Sequence, residues 1–137
     1  MKNKAALYRL FLSVVCMGLF FLSGCASSQG PTLTETSNGK QISLKVGRPL
    51  LVRLESNPPT GYTWAVAGGD GTVLKQQGDP TYEQANTSQQ VVGGGGWQTF
   101  RFTSQKAGAT ILKLVYRRSW EKGVAPVKAF TVQVTVQ

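Results

Sequence analysis

The residues with recognisable chemistry in this sequence form three short motifs and no catalytic set. The motifs are Asn57-Pro58-Pro59-Thr60-Gly61-Tyr62-Thr63-Trp64, then Gly93-Gly94-Gly95-Gly96 followed by Trp97, and Arg118-Ser119-Trp120. The chain has no histidine, which excludes His-dependent triads and removes the commonest general base and metal ligand. The six acidic residues show no paired spacing typical of a metal site or a glycosidase. We therefore predict binding chemistry, with no catalytic residue, no metal and no cofactor.

The first motif has the composition of a stiff loop. Pro58 and Pro59 fix two φ angles and remove two backbone donors, while Gly61 permits the positive φ at which the chain turns back. Such a loop loses little entropy on docking. Thr60 is the residue best placed for direct contact, and Trp64 is expected to be structural, with Tyr62 at the base of the loop. The alternative is a rigid turn that only connects two strands.

The other two motifs also favour binding, each with a structural alternative. Four consecutive glycines cost conformational entropy within a strand, so they indicate either a backbone strip that pairs with a partner or a flexible hairpin end. Trp97 then either anchors that loop or stacks on the partner. Arg and Trp are enriched in binding hot spots, so Arg118 and Trp120 indicate a contact surface unless Trp120 folds back onto the scaffold.

The scaffold that must position these motifs is predicted from hydrophobic periodicity. From Gln41 onward apolar residues recur every second position, which indicates half-buried strands and no convincing helix. Phe130, Val132, Val134 and Val136 form the clearest strand, and Phe100 with Phe102 share a face of another. Between these two strands, a third segment over 109–117 should also turn one face to the core, with Leu112, Leu114 and Tyr116. Six to eight short strands in about a hundred residues favour an all-β, immunoglobulin-like antiparallel β-sandwich. Each motif then falls between strands, where binding loops usually lie.

Together the three motifs resemble those of the chagasin-like inhibitors of papain-family cysteine peptidases, over the region from Gln41 to Gln137. In that family the motifs read N-P-T-T-G-[YF]-x-W, G-x-G-G and R-P-[WF], so Pro59 and Ser119 are departures. The resemblance implies a reversible inhibitor whose three loops fill the peptidase cleft without being cleaved, with Thr60 and Gly61 over the catalytic cysteine. It also predicts that a bulky residue at Gly61 raises the inhibition constant while leaving the melting temperature nearly unchanged.

The resemblance implies that most residues of the three motifs, together with Trp97, bind the peptidase. They are Asn57, Pro58, Pro59, Thr60, Gly61, Tyr62, Gly93, Gly94, Gly95, Gly96, Trp97, Arg118, Ser119 and Trp120. The alternative function is an envelope lipoprotein module that binds glycan or peptidoglycan, using Trp97 and Trp120 as stacking platforms. A purely structural lipoprotein is the third hypothesis.

The N-terminus has the form of an export signal. Lys2, Lys4 and Arg9 precede an apolar stretch and then small residues. The end of this segment, Leu22-Ser23-Gly24-Cys25, is similar to the bacterial lipobox, in which the cysteine is lipidated and becomes the first mature residue. We therefore predict a signal peptide at 1–24, a lipidated Cys25 with a flexible tether over 25–40, and the β-sandwich at 41–137.

Location and partners follow from this segment and from the charge. Ala26 favours outer-membrane sorting in the lipoprotein systems that this chain resembles, so we expect a lipid-anchored envelope protein that faces the periplasm or the cell surface. The formal charge is +9, but the Lys and Arg are scattered, without a basic helix or an RNA-binding aromatic signature. We expect no nucleic acid partner, a monomer, and attraction to anionic surfaces through the field of the whole domain.

Overall fold

Alternating apolar and polar residues form strands here because each strand buries one face and leaves the other in water. The structure is a computed structural model, and it describes residues 29–85 and 94–137. The strands within those residues are β1 (Thr32–Leu33), β2 (Gln41–Leu44), β3 (Pro49–Ser56), β4 (Tyr62–Gly68), β5 (Leu74–Gln76), β6 (Thr81–Gln84), β7 (Gly96–Ser104), β8 (Gly108–Arg118) and β9 (Lys128–Val136). Two 3-10 turns, Glu35–Ser37 and Pro58–Thr60, complete the described elements. In these two ranges no helix has the length and apolarity needed to cross a membrane.

The strands form two sheets. The first has the order β1-β3-β7, and both β5 and β6 pair with the other side of β7. The second has the order β2-β9-β8-β4. The neighbours are antiparallel except that β1 runs parallel to β3 and β2 runs parallel to β9. The predicted β-sandwich is therefore confirmed, with mixed rather than wholly antiparallel sheets.

The core between the sheets follows the predicted alternation. Phe100 and Phe102 of β7, each 2% exposed, lie on one buried face. The second sheet buries Leu112, Leu114, Tyr116, Phe130, Val132, Val134 and Val136. Every member of this core cluster lies between Leu33 and Val136. The described domain therefore contains the core on which its folding depends.

The segment predicted to be a flexible tether is part of the domain from residue 29 onward. Leu33 is only 5% exposed and belongs to the core, and Leu51 donates its backbone N–H to the carbonyl of Pro31 at 3.0 Å. Thr131 donates its backbone N–H to Oδ1 of Asn38 at 2.8 Å. The prediction was wrong for 29–40 because Leu33 is the only large aliphatic residue there, and one residue shows no period. The predicted signal at 1–24, Cys25 and Gly93 lie outside the described residues.

Candidate functional site

Three connections meet at one end of the sandwich. Ser56, the last residue of β3, pairs with Gly96, the first residue of β7. Tyr62, which begins β4, pairs with Arg118, which ends β8. Loop 1 (57–61), loop 3 (119–127) and the described residues 85, 94 and 95 between β6 and β7, here called loop 2, therefore lie at the same end. The prediction that the motifs form one composite surface is consistent with this arrangement.

Loop 1 is a closed 3-10 turn. Its two prolines begin the turn, and Thr60 and Gly61 donate their backbone N–H groups to the carbonyls of Asn57 and Pro58 at 3.0 and 2.7 Å. The hydroxyl of Thr60 also donates to the carbonyl of Asn57, at 2.6 Å. Gly61 closes the turn at φ 86°, in the left-handed region that favours glycine. The predicted stiffness is thus present in the hydrogen bonds as well as in the prolines.

Tyr116 of β8 supports loop 1 from below. Its hydroxyl oxygen accepts the backbone N–H of Asn57 at 2.9 Å. Its ring stacks on Tyr62 at 5.5 Å between centroids and lies 5.1 Å from the ring of Trp64. The sequence predicted Tyr116 only as a core residue, because nothing in its local pattern reveals a hydrogen bond to a residue 59 positions away.

Loop 3 lies directly on loop 1. The indole of Trp120 is packed so closely on Gly61 that a Cβ added there would lie 2.1 Å from the ring. The guanidinium of Arg118 lies 4.5 Å from the centroid of the Tyr62 ring, and its Nε donates to the carbonyl of Thr60 at 3.3 Å. Its Nη1 pairs with Glu121 at 3.3 Å. Loops 1 and 3 therefore form one continuous ridge, which we call the loop 1–loop 3 ridge.

The ridge combines exposed and occupied side chains. Trp120 is 64% exposed, although it contacts Gly61. Thr60 and Ser119 are exposed, while Arg118 is half-buried by the contacts just described. Glu121 was not among the predicted site residues, since a carboxylate three positions after an arginine in a loop has no distinctive signature. The ridge thus exposes an indole and a threonine, and the contacts of Arg118 within the protein hold the two loops together beneath them.

The glycine run divides between strand and loop. Gly96 lies in β7 between β3 and β6, and a Cβ there would lie 2.1 Å from the carbonyl oxygen of Glu83. Its lack of a side chain is therefore required by packing within the sheet. Gly95 precedes the strand and accepts the backbone N–H of Ala85 at 3.1 Å, and Gly94 comes before it. Both glycines are partly exposed, and Gly95 lies beside Ser56, the residue that precedes loop 1.

Trp97 lies in β7 rather than in a loop. The guanidinium of Arg53 is 4.4 Å from the centroid of its ring, and Arg53 also pairs with Glu83 at 3.3 Å. Because inward residues of β7 alternate with outward ones, Trp97 faces away from the core that holds Gln98 and Phe100. It anchors the outer face of the first sheet beside loop 2.

A buried glutamine joins the two sheets beneath the loops. Gln98, 7% exposed, accepts the backbone N–H of Trp64 at 2.9 Å and donates to its carbonyl at 3.1 Å. Trp64 is 4% exposed, and its indole N–H donates to the carbonyl of Glu55 at 2.7 Å. The expected structural role of Trp64 is confirmed. The sequence analysis did not identify Gln98, because one polar residue at an inward position of β7 does not stand out in the alternation of that strand.

The described part of the loop end contains a shallow cleft. The cleft has a volume of about 370 Å³, and its lining includes Asn57, Gly95, Trp97, Tyr116 and Lys128. Within 29–85 and 94–137, no cluster of three or more His, Cys, Asp or Glu residues is placed to hold a metal ion. A rigid sandwich that presents preformed loops in this way belongs to the class of loop-presenting binding proteins.

Comparisons with known proteins identify the family within this class. The model of the chagasin family of peptidase inhibitors, I42, matches residues 43–134. The chain therefore belongs to the chagasin family, whose members are protease inhibitors and not enzymes. The predictions of the family and of a non-catalytic inhibitor are confirmed.

Individual relatives match over most of their length. Amoebiasin-1 of Entamoeba histolytica is 31% identical over 106 residues, which cover 77% of this chain and 99% of that protein. Chagasin of Trypanosoma cruzi is 28% identical over 104 residues, covering 73% and 92%. The crystal structure of the cysteine protease inhibitor EhICP2 from Entamoeba histolytica has a TM-score of 0.70 and 26% identity, covering 79% of this chain and 100% of that one.

Proposed function

We propose that this protein inhibits papain-like cysteine peptidases reversibly, by filling the active-site cleft with its three loops. The observation that carries the proposal is the loop 1–loop 3 ridge, in which Trp120 packs on Gly61 and Arg118 bonds to Thr60. A ridge that is already ordered in the free protein loses little conformational entropy on docking. Inhibition by occupation needs no reactive group in the inhibitor.

The conformation of loop 1 also gives a reason for its resistance to cleavage. Pro58 and Pro59 have no backbone N–H, and the 3-10 turn is not extended. The loop therefore cannot pair with a cleft as an extended substrate strand does. The hydroxyl proton of Thr60 is used within the loop, so Thr60 offers the peptidase its methyl group and an acceptor oxygen.

The two departures from the family motifs are compatible with this mechanism. Pro59 stiffens loop 1 at the position where the family has a threonine. Loop 3 has Ser119 where the family has a rigid proline. Arg118 nevertheless stabilises this loop by an ion pair with Glu121 and a hydrogen bond to the carbonyl of Thr60. Loop 2 contributes Gly94 and Gly95, whose small size lets a partner approach the backbone closely.

We further propose that Cys25 is lipidated and that the protein is a monomer anchored in the outer membrane, facing the periplasm or the cell surface. The lipobox-like end of the N-terminal segment supports this part of the proposal. Growth with an alkyne analogue of palmitate, followed by mass analysis of the mature N-terminus, tests it. We expect label on the wild-type chain and none on Cys25→Ala; an unlabelled wild-type chain would contradict lipidation.

The inhibition proposal is tested by steady-state assays of papain and a cathepsin L-type peptidase, with a serine peptidase for comparison. We expect saturable inhibition of the cysteine peptidases alone, with the inhibitor intact afterwards. Trp120→Ala should raise the inhibition constant at least about 30-fold, since a buried aromatic hot spot contributes 2 kcal/mol or more. Ile111→Ala, which removes a side chain 60% exposed on another part of the domain, is the matched control. No inhibition at micromolar protein would overturn the proposal.

The glycan-binding alternative has less support from the structure. Arg53 covers one face of the Trp97 ring, and Trp120 contacts Gly61. Part of each indole surface is thus occupied within the domain, although Trp120 is 64% exposed. A titration with peptidoglycan fragments tests this alternative. A fluorescence change in the wild-type protein that is absent in Trp120→Ala would support glycan binding at Trp120.

A further inference from the structure

The end of the sandwich opposite the loops carries an exposed basic turn. Lys45, Val46, Gly47 and Arg48, here called the basal turn, directly precede β3, whereas loop 1 directly follows it. At about 3.4 Å per residue, the eight residues of β3 place the basal turn about 25 Å from loop 1. The two ends of the domain therefore present different surfaces in opposite directions.

The chain enters the domain at the basal end. Gly30 approaches Pro49 so closely that a Cβ there would lie 1.6 Å from the carbonyl oxygen of Pro49. From there β1 runs parallel to β3, toward the loops. Residues 29–31 line a common groove of about 440 Å³ with Lys45 and Arg48 of the basal turn. The five peptide units between Cys25 and Gly30 can span at most about 18 Å.

The basal turn is held in one conformation by Ser104, which is 1% exposed. Its hydroxyl oxygen accepts the backbone N–H of Arg48 at 2.9 Å and donates to the carbonyl of Lys45 at 2.7 Å. Gly47 donates its N–H to the Ser104 carbonyl at 2.8 Å. Lys45, Arg48 and the neighbouring Lys106 are exposed, and Val46 is 49% exposed. A fixed basic turn with an exposed apolar residue suits contact with an anionic, partly apolar surface.

Negative charge is also present at this end. The carboxylate of Asp70 accepts the backbone N–H and the hydroxyl of Thr72 at 2.8 and 2.7 Å. These hydrogen bonds, with a smaller contribution from Lys106, lower the pKa of Asp70, and its carboxylate is ionised at neutral pH. Lys45, Arg48 and Lys106 outnumber this carboxylate by only two charges, so the basal end can orient an anchored domain but is too weakly basic to hold a free one at a membrane.

We propose that the basal turn and Lys106 rest on the anionic phospholipid headgroups of the membrane in which the protein is anchored, with the loops pointing away. This inference depends on the lipid anchor at Cys25 proposed above. The short connection from Cys25 brings the basal end to the surface, and headgroup phosphates attract its three cations within a Debye length. The ridge is then presented to a peptidase that approaches from the aqueous side.

The experiment uses residues 25–137, which contain the complete described core. Its single cysteine, Cys25, is coupled to a maleimide lipid in vesicles of phosphatidylcholine alone or with 30% phosphatidylglycerol. Lysine acetylation rates are then measured by mass spectrometry. We expect Lys45 and Lys106 to react at least about threefold more slowly on the anionic vesicles, with Lys122 of loop 3 unchanged, and 0.5 M salt to remove the difference.

Two charge reversals distinguish a defined surface from a general charge effect. Arg48→Glu should abolish the protection of Lys45 and Lys106, whereas Arg101→Glu, on the exposed face of β7, should preserve it. Equal rates on both vesicles, equal effects of the two variants, or protection of Lys122 instead would overturn the proposal. Because the maleimide replaces the natural lipid, these outcomes are independent of whether cells lipidate Cys25, which the palmitate labelling decides separately.

Discussion

Gly61 is subject to two separate constraints. Its φ of 86° is unfavourable for a residue with a side chain, and the space beside its Cα is filled by the indole of Trp120. The first constraint follows from the Pro-Pro-Thr-Gly sequence. The second depends on a contact between two loops, which the local sequence does not encode. The structure thus corrects the expectation that Gly61 can be enlarged without loss of stability.

We predict that Gly61→Ala both destabilises the domain and weakens inhibition. The backbone strain should cost about 1–2 kcal/mol, and the Cβ should displace Trp120 from the ridge. Gly39→Ala is a matched control, because Gly39 has φ 77° and no atom within 4 Å of an added Cβ. Urea denaturation should show a loss for both variants, at least as large for Gly61→Ala, but the inhibition constant should rise only for Gly61→Ala. A rise of equal size for Gly39→Ala would contradict this interpretation.

Arg118 links two elements that the sequence presents as independent motifs. Its contacts with Thr60, Tyr62 and Glu121 are all within the protein. We therefore interpret Arg118 mainly as a brace between loops 1 and 3, and only secondarily as a group that contacts the peptidase. The consequence is that Glu121, outside the motif, should contribute to inhibition through Arg118.

A double-mutant cycle tests this role. Arg118→Ala should raise the inhibition constant about tenfold and Glu121→Ala about threefold, in keeping with the small contribution of an exposed ion pair. The double variant should resemble Arg118→Ala, because Glu121 acts only through Arg118. Glu83→Ala removes a different 3.3 Å ion pair, with Arg53, and serves as control. An unchanged inhibition constant for Glu121→Ala would mean that Arg118 needs no partner within the loop.

Gln98 has a comparable linking role between the sheets. Gln98→Leu should lower the free energy of unfolding by about 2–4 kcal/mol, because it leaves the backbone N–H and carbonyl of Trp64 without their partner in a buried site. Gln133→Leu is the control, since the side chain of Gln133 is exposed and bonds to Gln41 at 2.9 Å. Chemical denaturation measures both. Equal losses would show that burial of Gln98 has no special importance.

The sequence predicted those elements whose residues repeat and missed those that depend on single residues. Period-two alternation identified the buried faces of β7, β8 and β9 and the sandwich itself. The loop motifs were recognisable because proline, glycine and tryptophan have distinct local requirements. By contrast, β1 has two residues, and the partners of Gln98, Tyr116 and Glu121 are set by the tertiary fold. Contacts of that kind have no period along the chain.

At the scale of the whole molecule, the domain extends further toward the N-terminus than the sequence indicated. Leu33→Ala should cost about 2–4 kcal/mol, because it leaves a cavity in the core between the sheets. Ile111→Ala should change stability by less than about 0.5 kcal/mol, as is usual for an exposed side chain. Urea unfolding curves give both values. If Leu33→Ala behaved like Ile111→Ala, residues 29–40 would be a tether after all.

The parallel pairing of β2 with β9 also constrains how the domain folds. It places Gln41 beside Gln133, 92 residues later in the chain. Contacts of such long range are slow to form, because the entropy of closing the intervening loop is lost before the contact contributes. The second sheet cannot close before β9 has been synthesised, because β9 lies between β2 and β8. A growing chain therefore keeps β2 and β8 without their shared neighbour until β9 is available.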